Sequence, residues 1–177
     1  DYSISDDGKT YTFNLRDALW SDGKAVTAYD FEYSFLRTLN PETGSYQVDE
    51  IDSVLNAKAY YSGEITDATQ VGIKALNEKT FEITLEKNDP FFILDLAQGI
   101  NFYPIREDYV EKHGANYGAG MDSFIGCGPF TITGWAQSSS VTMEKNENYW
   151  DKDSIKLSKV TQLIVPDENT LAGMYDL

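Results

Sequence analysis

The sequence predicts an α+β fold of mixed helices and mostly antiparallel sheet, and three stretches carry that expectation. Tyr11, Phe13 and Leu15 alternate with Thr12, Asn14 and Arg16, the two-residue period of a half-buried strand. Phe31, Phe35 and Leu39 recur at helical spacing and leave Asp30, Glu32 and Arg37 for the opposite face. Residues 71–76 and 80–85 read as two strands joined only by Asn77, Glu78 and Lys79, and a loop that short makes an antiparallel hairpin.

The elements follow in order. Asp7-Gly8 is a turn into the first strand, and Asp22-Gly23 is a second turn, because glycine accepts positive φ and aspartate can satisfy the local backbone. Thr27 stands three residues before Asp30, the spacing of a capping box. Its hydroxyl is expected to accept from the Asp30 amide while the Asp30 carboxylate reaches back to the Thr27 amide. A helix should therefore start at about Ala28, and it ends by Pro41. Residues 40–46 form a polar loop. Ile51, Val54, Leu55 and Ala59 then fall three or four apart and predict a second helix over 48–62, closed by Gly63. In the hairpin, Phe81, Ile83 and Leu85 share one face. Asp89-Pro90 opens a helix carrying Phe91, Phe92, Leu94 and Leu96, residues 101–104 are extended, and 106–112 form a short helix. Glycines at 114, 118 and 120 mark a long loop, after which 130–135, 141–145 and 157–165 read as strands and Glu168 as a helical start.

Composition narrows the function. With 177 residues, 41% of them hydrophobic, the chain can bury a real core. Its 29 acidic against 14 basic residues give a net charge of −15, which repels phosphate backbones and argues against nucleic-acid binding. No apolar run is long enough to cross a bilayer, and the first residues lack the basic and apolar segments of an export signal.

The candidate chemical groups are few. His113 is the one histidine and sits at an expected helix end, where the dipole favours a cation; a catalytic triad would have to run through it. Cys127 is the one cysteine, so no internal disulfide and no multi-thiolate metal site can form, and no basic neighbour activates it. Asp151 and Asp153 imitate the start of a calcium loop, but Ile155 takes the next ligand position and neither the glycine nor the closing glutamate follows. No metal and no cofactor are expected. Most aromatic residues occupy periodic positions and belong to the core. Tyr46 lies in a polar loop, off any periodic face.

Three motifs resemble a known family. Asp7-Gly8, Tyr11-Thr12-Phe13, Leu15-Arg16, Trp20-Ser21-Asp22-Gly23 and Val26-Thr27-Ala28 with Asp30-Phe31 match its long signature letter for letter. Gly126-Cys127-Gly128-Pro129-Phe130 is similar to a G-T/N-G-P-Y/F element, with cysteine in place of the usual threonine or asparagine, and Asn146 to Trp150 is similar to N-x-x-Y-W. The family is that of the extracytoplasmic oligopeptide-binding proteins of ATP-binding cassette importers, the peptide and nickel class of solute receptor.

The resemblance implies a fragment of a periplasmic-binding-protein-like type II receptor, with residues 1–125 as most of a peripheral lobe and 126–177 as the start of the first ligand-binding lobe. It implies binding of oligopeptides for uptake, not enzyme activity, and matches Tyr46 to an aromatic position that reaches toward the ligand. The implied partners are a peptide and the permease subunits. The implied location is periplasmic or on the cell surface, where any membrane attachment would be through a lipid anchor or permease outside this stretch. Nickel, haem or glycan receptors of the same superfamily share the signature and stand as alternatives. A secreted hydrolase built on a carboxylate pair is the reading from another class.

Overall fold

The computed structural model describes every residue except Gln47, Ile100, Asn101, Glu168, Asn169, Ala172 and 174–177. The helical start expected at Glu168 lies outside the described residues. Two compact units emerge, one formed by Asp1–Asp17 with Val26–Glu107 and the other by Ala18–Ala25 with Asp108–Leu177. The expected lobe division near residue 125 falls inside the second of these units.

In the first unit, β1 (Tyr2–Ile4), β2 (Thr10–Asn14), β3 (Ile73–Asn77) and β4 (Thr80–Thr84) form an antiparallel sheet in the order β1-β2-β4-β3. Its register lines up two apolar rows. Ile4, Tyr11, Ile83 and Ile73 are paired across the strands, and so are Tyr2, Phe13, Phe81 and Ala75. Positions two apart on a strand point the same way, so both rows share a face. Helix α1 (Ala28–Leu39) packs on β3 and β4, with the Phe35 ring 5.5 Å from Phe81 and 5.2 Å from Phe102. Phe35 and Leu39 are buried as their spacing predicts, and Phe31 is partly buried against the same cluster. Each such fully buried side chain contributes about 1.5–3 kcal/mol of apolar transfer.

The capping box of α1 forms as expected, with the Thr27 amide donating to Asp30 Oδ2 at 2.7 Å. The Thr27 hydroxyl also donates to that oxygen at 3.0 Å, and the Asp30 amide lies 3.2 Å from the Thr27 carbonyl, to which it donates. A hydroxyl can donate and accept at once. Ser34, buried in mid-helix, donates to the Tyr103 carbonyl at 2.6 Å and so meets no desolvation cost unpaired.

The helix expected over 48–62 is replaced by a 3-10 turn at Val48–Ile51, an isolated bridge, and a short α2 at Ala57–Tyr61. Val54 pairs with Leu85, the Leu55 amide donates to the Thr84 carbonyl at 2.9 Å, and Asn56 takes φ 60. Ile51 and Val54 are buried as their spacing suggested, Leu55 and Ala59 are only half-buried, and Ala57, which that spacing did not name, is buried, because the end of β4 captured the backbone between them. Gly63 closes the shorter helix at φ 78. Smaller differences follow the same logic. Val71 ends a 3-10 turn and stays out of β3, and Phe102 sits in a buried turn, not an extended run. Asp89 accepts from the Phe91 amide at 2.9 Å in a turn that precedes α3 (Phe92–Gln98).

The second unit contains α4 (Glu107–His113) and an antiparallel sheet β5-β6-β7, from Phe130–Ala136, Ser140–Lys145 and Lys159–Leu163. Strand β7 is shorter than the expected 157–165. Ile132, Met143 and Val160 form one apolar row, interrupted toward Gly134 by a bulge, yet no residue of these three strands is fully buried.

Candidate functional site

Two features carry the functional argument, one in each unit. In the second unit the W-S-D-G stretch folds into a tight hairpin closed by the Leu19–Ala25 bridge. The Trp20 amide donates to the Lys24 carbonyl and the Gly23 amide to the Trp20 carbonyl, both at 2.8 Å, while Asp22 Oδ1 accepts from the Lys24 amide at 3.0 Å. Gly23 at φ 86 makes this turn, a backbone conformation that a side chain would strain. Trp20 is buried beneath it.

The hairpin is then stapled to both later motifs. The Ser21 amide donates to the Gly126 carbonyl at 2.9 Å, and Asn148 Nδ2 donates to the Ser21 carbonyl at 3.0 Å. Asn146, 3% exposed, donates through Nδ2 to the Gly128 carbonyl at 2.8 Å and accepts the Asn148 amide on Oδ1 at 3.0 Å. Three motifs, the first more than a hundred residues from the other two, thus meet in one polar clasp. Its bonds use the backbone of Gly126, Gly128 and Pro129, so they do not require the threonine or asparagine that Cys127 replaces. The clasp spends its polar groups on the protein itself, and its chemistry is structural. Residue spacing alone did not single out Asn146 and Asn148 as its linchpins. The available signal was the N-x-x-Y-W motif, in which an amide side chain can donate and accept at once.

In the first unit Tyr46 stands on the loop after α1. Asn40 Oδ1 accepts from the Glu42 amide at 2.9 Å, Pro41 opens a 3-10 turn, and Gly44 at φ 62 ends it. The chain then projects Tyr46, which is 99% exposed and has no hydrogen-bond partner among the described residues. A ring so placed can stack on or pack against a ligand at little desolvation cost.

The remaining candidates are scattered. His113 ends α4 with its ring 5.7 Å from Tyr109, and its Nε2 is buried without a hydrogen-bond partner. Asp151 precedes a 3-10 turn, Lys152–Ser154, that contains Asp153 and in which Ser154 donates to the Asp151 carbonyl. Among the described residues no three histidine, cysteine or carboxylate side chains are grouped so as to hold a metal ion, and no helix is long and apolar enough to cross a membrane.

Residues 1–176 match the family model for bacterial extracellular solute-binding proteins, family 5. The chain belongs to that family. A dipeptide-binding protein of Bacillus subtilis (strain 168) is 39% identical over 175 residues, which are 98% of this chain and 32% of that protein. The substrate-binding domain of an oligopeptide ABC transporter from Bacillus anthracis superposes with a TM-score of 0.94 at 36% identity, over 99% of this chain and 34% of that structure. A Listeria monocytogenes OppA bound to peptide gives 0.91 at 32% identity, over 99% and 35%. The chain therefore spans about a third of the length of these family 5 relatives. Its α+β architecture with antiparallel sheets is that of the matching part of a periplasmic-binding-protein-like receptor, and the resemblance drawn from the motifs holds.

Proposed function

We propose that this chain is part of a receptor that captures peptides outside the cytoplasm and delivers them to the permease of an ABC importer. The observation that carries the reading is its likeness to the substrate-binding domain of an oligopeptide transporter, TM-score 0.94 over 99% of the chain. On this reading residues 1–125 contribute most of a peripheral lobe and 126–177 the start of a ligand-binding lobe, which the cell holds in the periplasm or at its surface, by a lipid anchor in the latter case. The protein works by binding and release and is not an enzyme, in keeping with a family of solute-binding proteins.

An extended peptide gains its main-chain partners and loses its water only when walls close on it from both sides. Tyr46 supplies packing from one wall. Removing one well-packed aromatic from such a site costs about 1–2 kcal/mol without abolishing binding. Calorimetry with a mixed peptide pool tests this on the 177-residue chain, the full-length receptor and its Tyr46→Ala variant. The full-length receptor should bind, the variant should bind about tenfold more weakly, and the short chain should show no micromolar affinity. Micromolar binding by the short chain would refute the two-wall mechanism, and an unaltered variant would remove Tyr46 from the site. Native mass spectrometry of the full-length receptor, showing co-purified peptide or none, tests the ligand class directly.

A further inference from the structure

We infer that residues 15–28 form a conformational linkage, a stalk whose base in the first unit and whose tip in the second open and close together, so that the state of the clasp is carried to the start of α1. The base is shut by the β3–β4 turn. The Leu15 amide donates to the Lys79 carbonyl at 2.8 Å, and the Ala28 amide donates to the adjacent Glu78 carbonyl at 2.9 Å. Two neighbouring carbonyls of one turn hold the outgoing and the returning leg side by side. The turn is itself braced, because Asn77 Oδ1 accepts the Lys79 amide at 2.9 Å. Lys79 also reaches Asp17 Oδ1 at 2.8 Å, but the Asp17 side chain is fully exposed, and an ion pair so placed adds little. The backbone bonds do the holding.

Beyond the base the legs are short. Only residues 16–18 on one leg and 26–27 on the other separate it from the Leu19–Ala25 bridge. The returning leg is pinned along its length: Val26 and Ala28 are buried, and the Thr27 amide is bound by Asp30. At the tip, the Trp20 hairpin is closed by its own bonds and by those to Gly126 and Asn148. Each of these bonds lies within one unit, and only the chain passes from one unit to the other. Legs this short leave few backbone torsions through which one end could open while the other stays shut. Closing either end also shortens the loop that the other must close, which lowers its entropy cost and makes the two ends mutually stabilising.

The test is hydrogen–deuterium exchange of the full-length receptor, read at single amides after electron-transfer fragmentation. It needs no ligand, so its outcome is independent of the peptide-import reading. Asn148→Ala removes the bond to the Ser21 carbonyl at the tip, and Asn77→Ala removes the brace at the base. Each variant should speed exchange about fivefold at all five donor amides, those of Leu15, Trp20, Ser21, Gly23 and Ala28. The Thr84 and Leu85 amides, bonded to the Gly72 and Lys9 carbonyls in the first unit, should be unchanged. Each substitution therefore reaches amides in the unit that it does not touch. Asn77 is exposed and Asn148 half-buried, so neither change opens a core. Acceleration confined to the mutated end, no acceleration at the five amides, or equal acceleration at Thr84 and Leu85 would overturn the proposal.

Discussion

Fourteen buried apolar residues form one continuous cluster in the first unit, from Tyr11 on β2 to Phe102 beyond α3. The second unit contributes only Trp20 and Ile125 to the buried apolar side chains among the described residues. Its sheet leaves Trp135 38% and Leu163 52% exposed, and its cohesion comes from the clasp joining Ser21, Gly126, Asn146 and Asn148. Apolar burial scales with area and dominates stability, whereas a neutral hydrogen bond nets only about 0.5–1.5 kcal/mol. The two units therefore answer to different perturbations: the first to lost volume, the second to a lost polar partner.

The largest test of that contrast is truncation of the core. Phe35→Ala should cost about 3–5 kcal/mol in urea melts, while Trp135→Ala on the open sheet should cost less than about 1 kcal/mol. Equal costs would break the comparison. Next is the clasp, where Asn146→Ala leaves the Gly128 carbonyl and the Asn148 amide without their partner. We expect a loss of about 1–3 kcal/mol, read by hydrogen exchange as faster opening of β5, β6 and the Trp20 hairpin with β2 and β4 unchanged. Protection lost equally in both units would show that they are one cooperative body.

A smaller effect separates the two halves of the α1 cap. Asp30→Ala removes both bonds to the carboxylate and should cost about 1–2 kcal/mol, whereas Thr27→Ala keeps the amide bond and should cost roughly 0.5–1 kcal/mol. A reversed order in denaturant midpoints would make the Thr27 hydroxyl, not the Asp30 carboxylate, the stronger half of the cap. The smallest effect is in acid. Hydrogen bonds from Ser5 and Lys9 hold the Asp7 carboxyl below its usual 3.8, Lys79 does so for Asp17, and Thr69 for Asp67. A depressed folded pKa adds stability that is present above the unfolded value and is lost as pH falls through the folded one. All three lie in the first unit, so its stability should decline slightly below pH 3.8, and a carboxyl NMR titration should place the midpoints of these three below that value. Midpoints at the ordinary value would remove this contribution.

Local chemistry was legible wherever neighbours in sequence decide it. The β2 alternation, the α1 stripe, the 73–84 hairpin and the turns at Gly8 and Gly23 all appear in the structure because each depends on a few adjacent residues. Periodicity misread 48–62 because Ile51, Val54, Leu55 and Ala59 fit a helical spacing, whereas the bridged irregular path buries Ile51, Val54 and Ala57. Side-chain spacing records which residues are buried, and it does not record which backbone groups a distant strand will claim.

The candidate site divides along the same line. An aromatic in a polar loop could be seen at Tyr46 from sequence, and its full exposure follows from the turn that Asn40, Pro41 and Gly44 build. The clasp could not be seen, since it depends on Asn146 and Asn148 reaching Gly128 and Ser21, which lie 18 and 127 residues away in sequence.

By itself the sequence determined the fold class, the family, the start and apolar face of α1, and the hairpin and turn positions, since all of these rest on residue type and short spacing. Only the tertiary structure decided that the family motifs clasp one another and that α2 is short. Those outcomes depend on hydrogen bonds such as Asn148 to Ser21, which spans 127 residues. The entropy of closing so long a loop is repaid only by the assembled unit, so no local pattern can encode it.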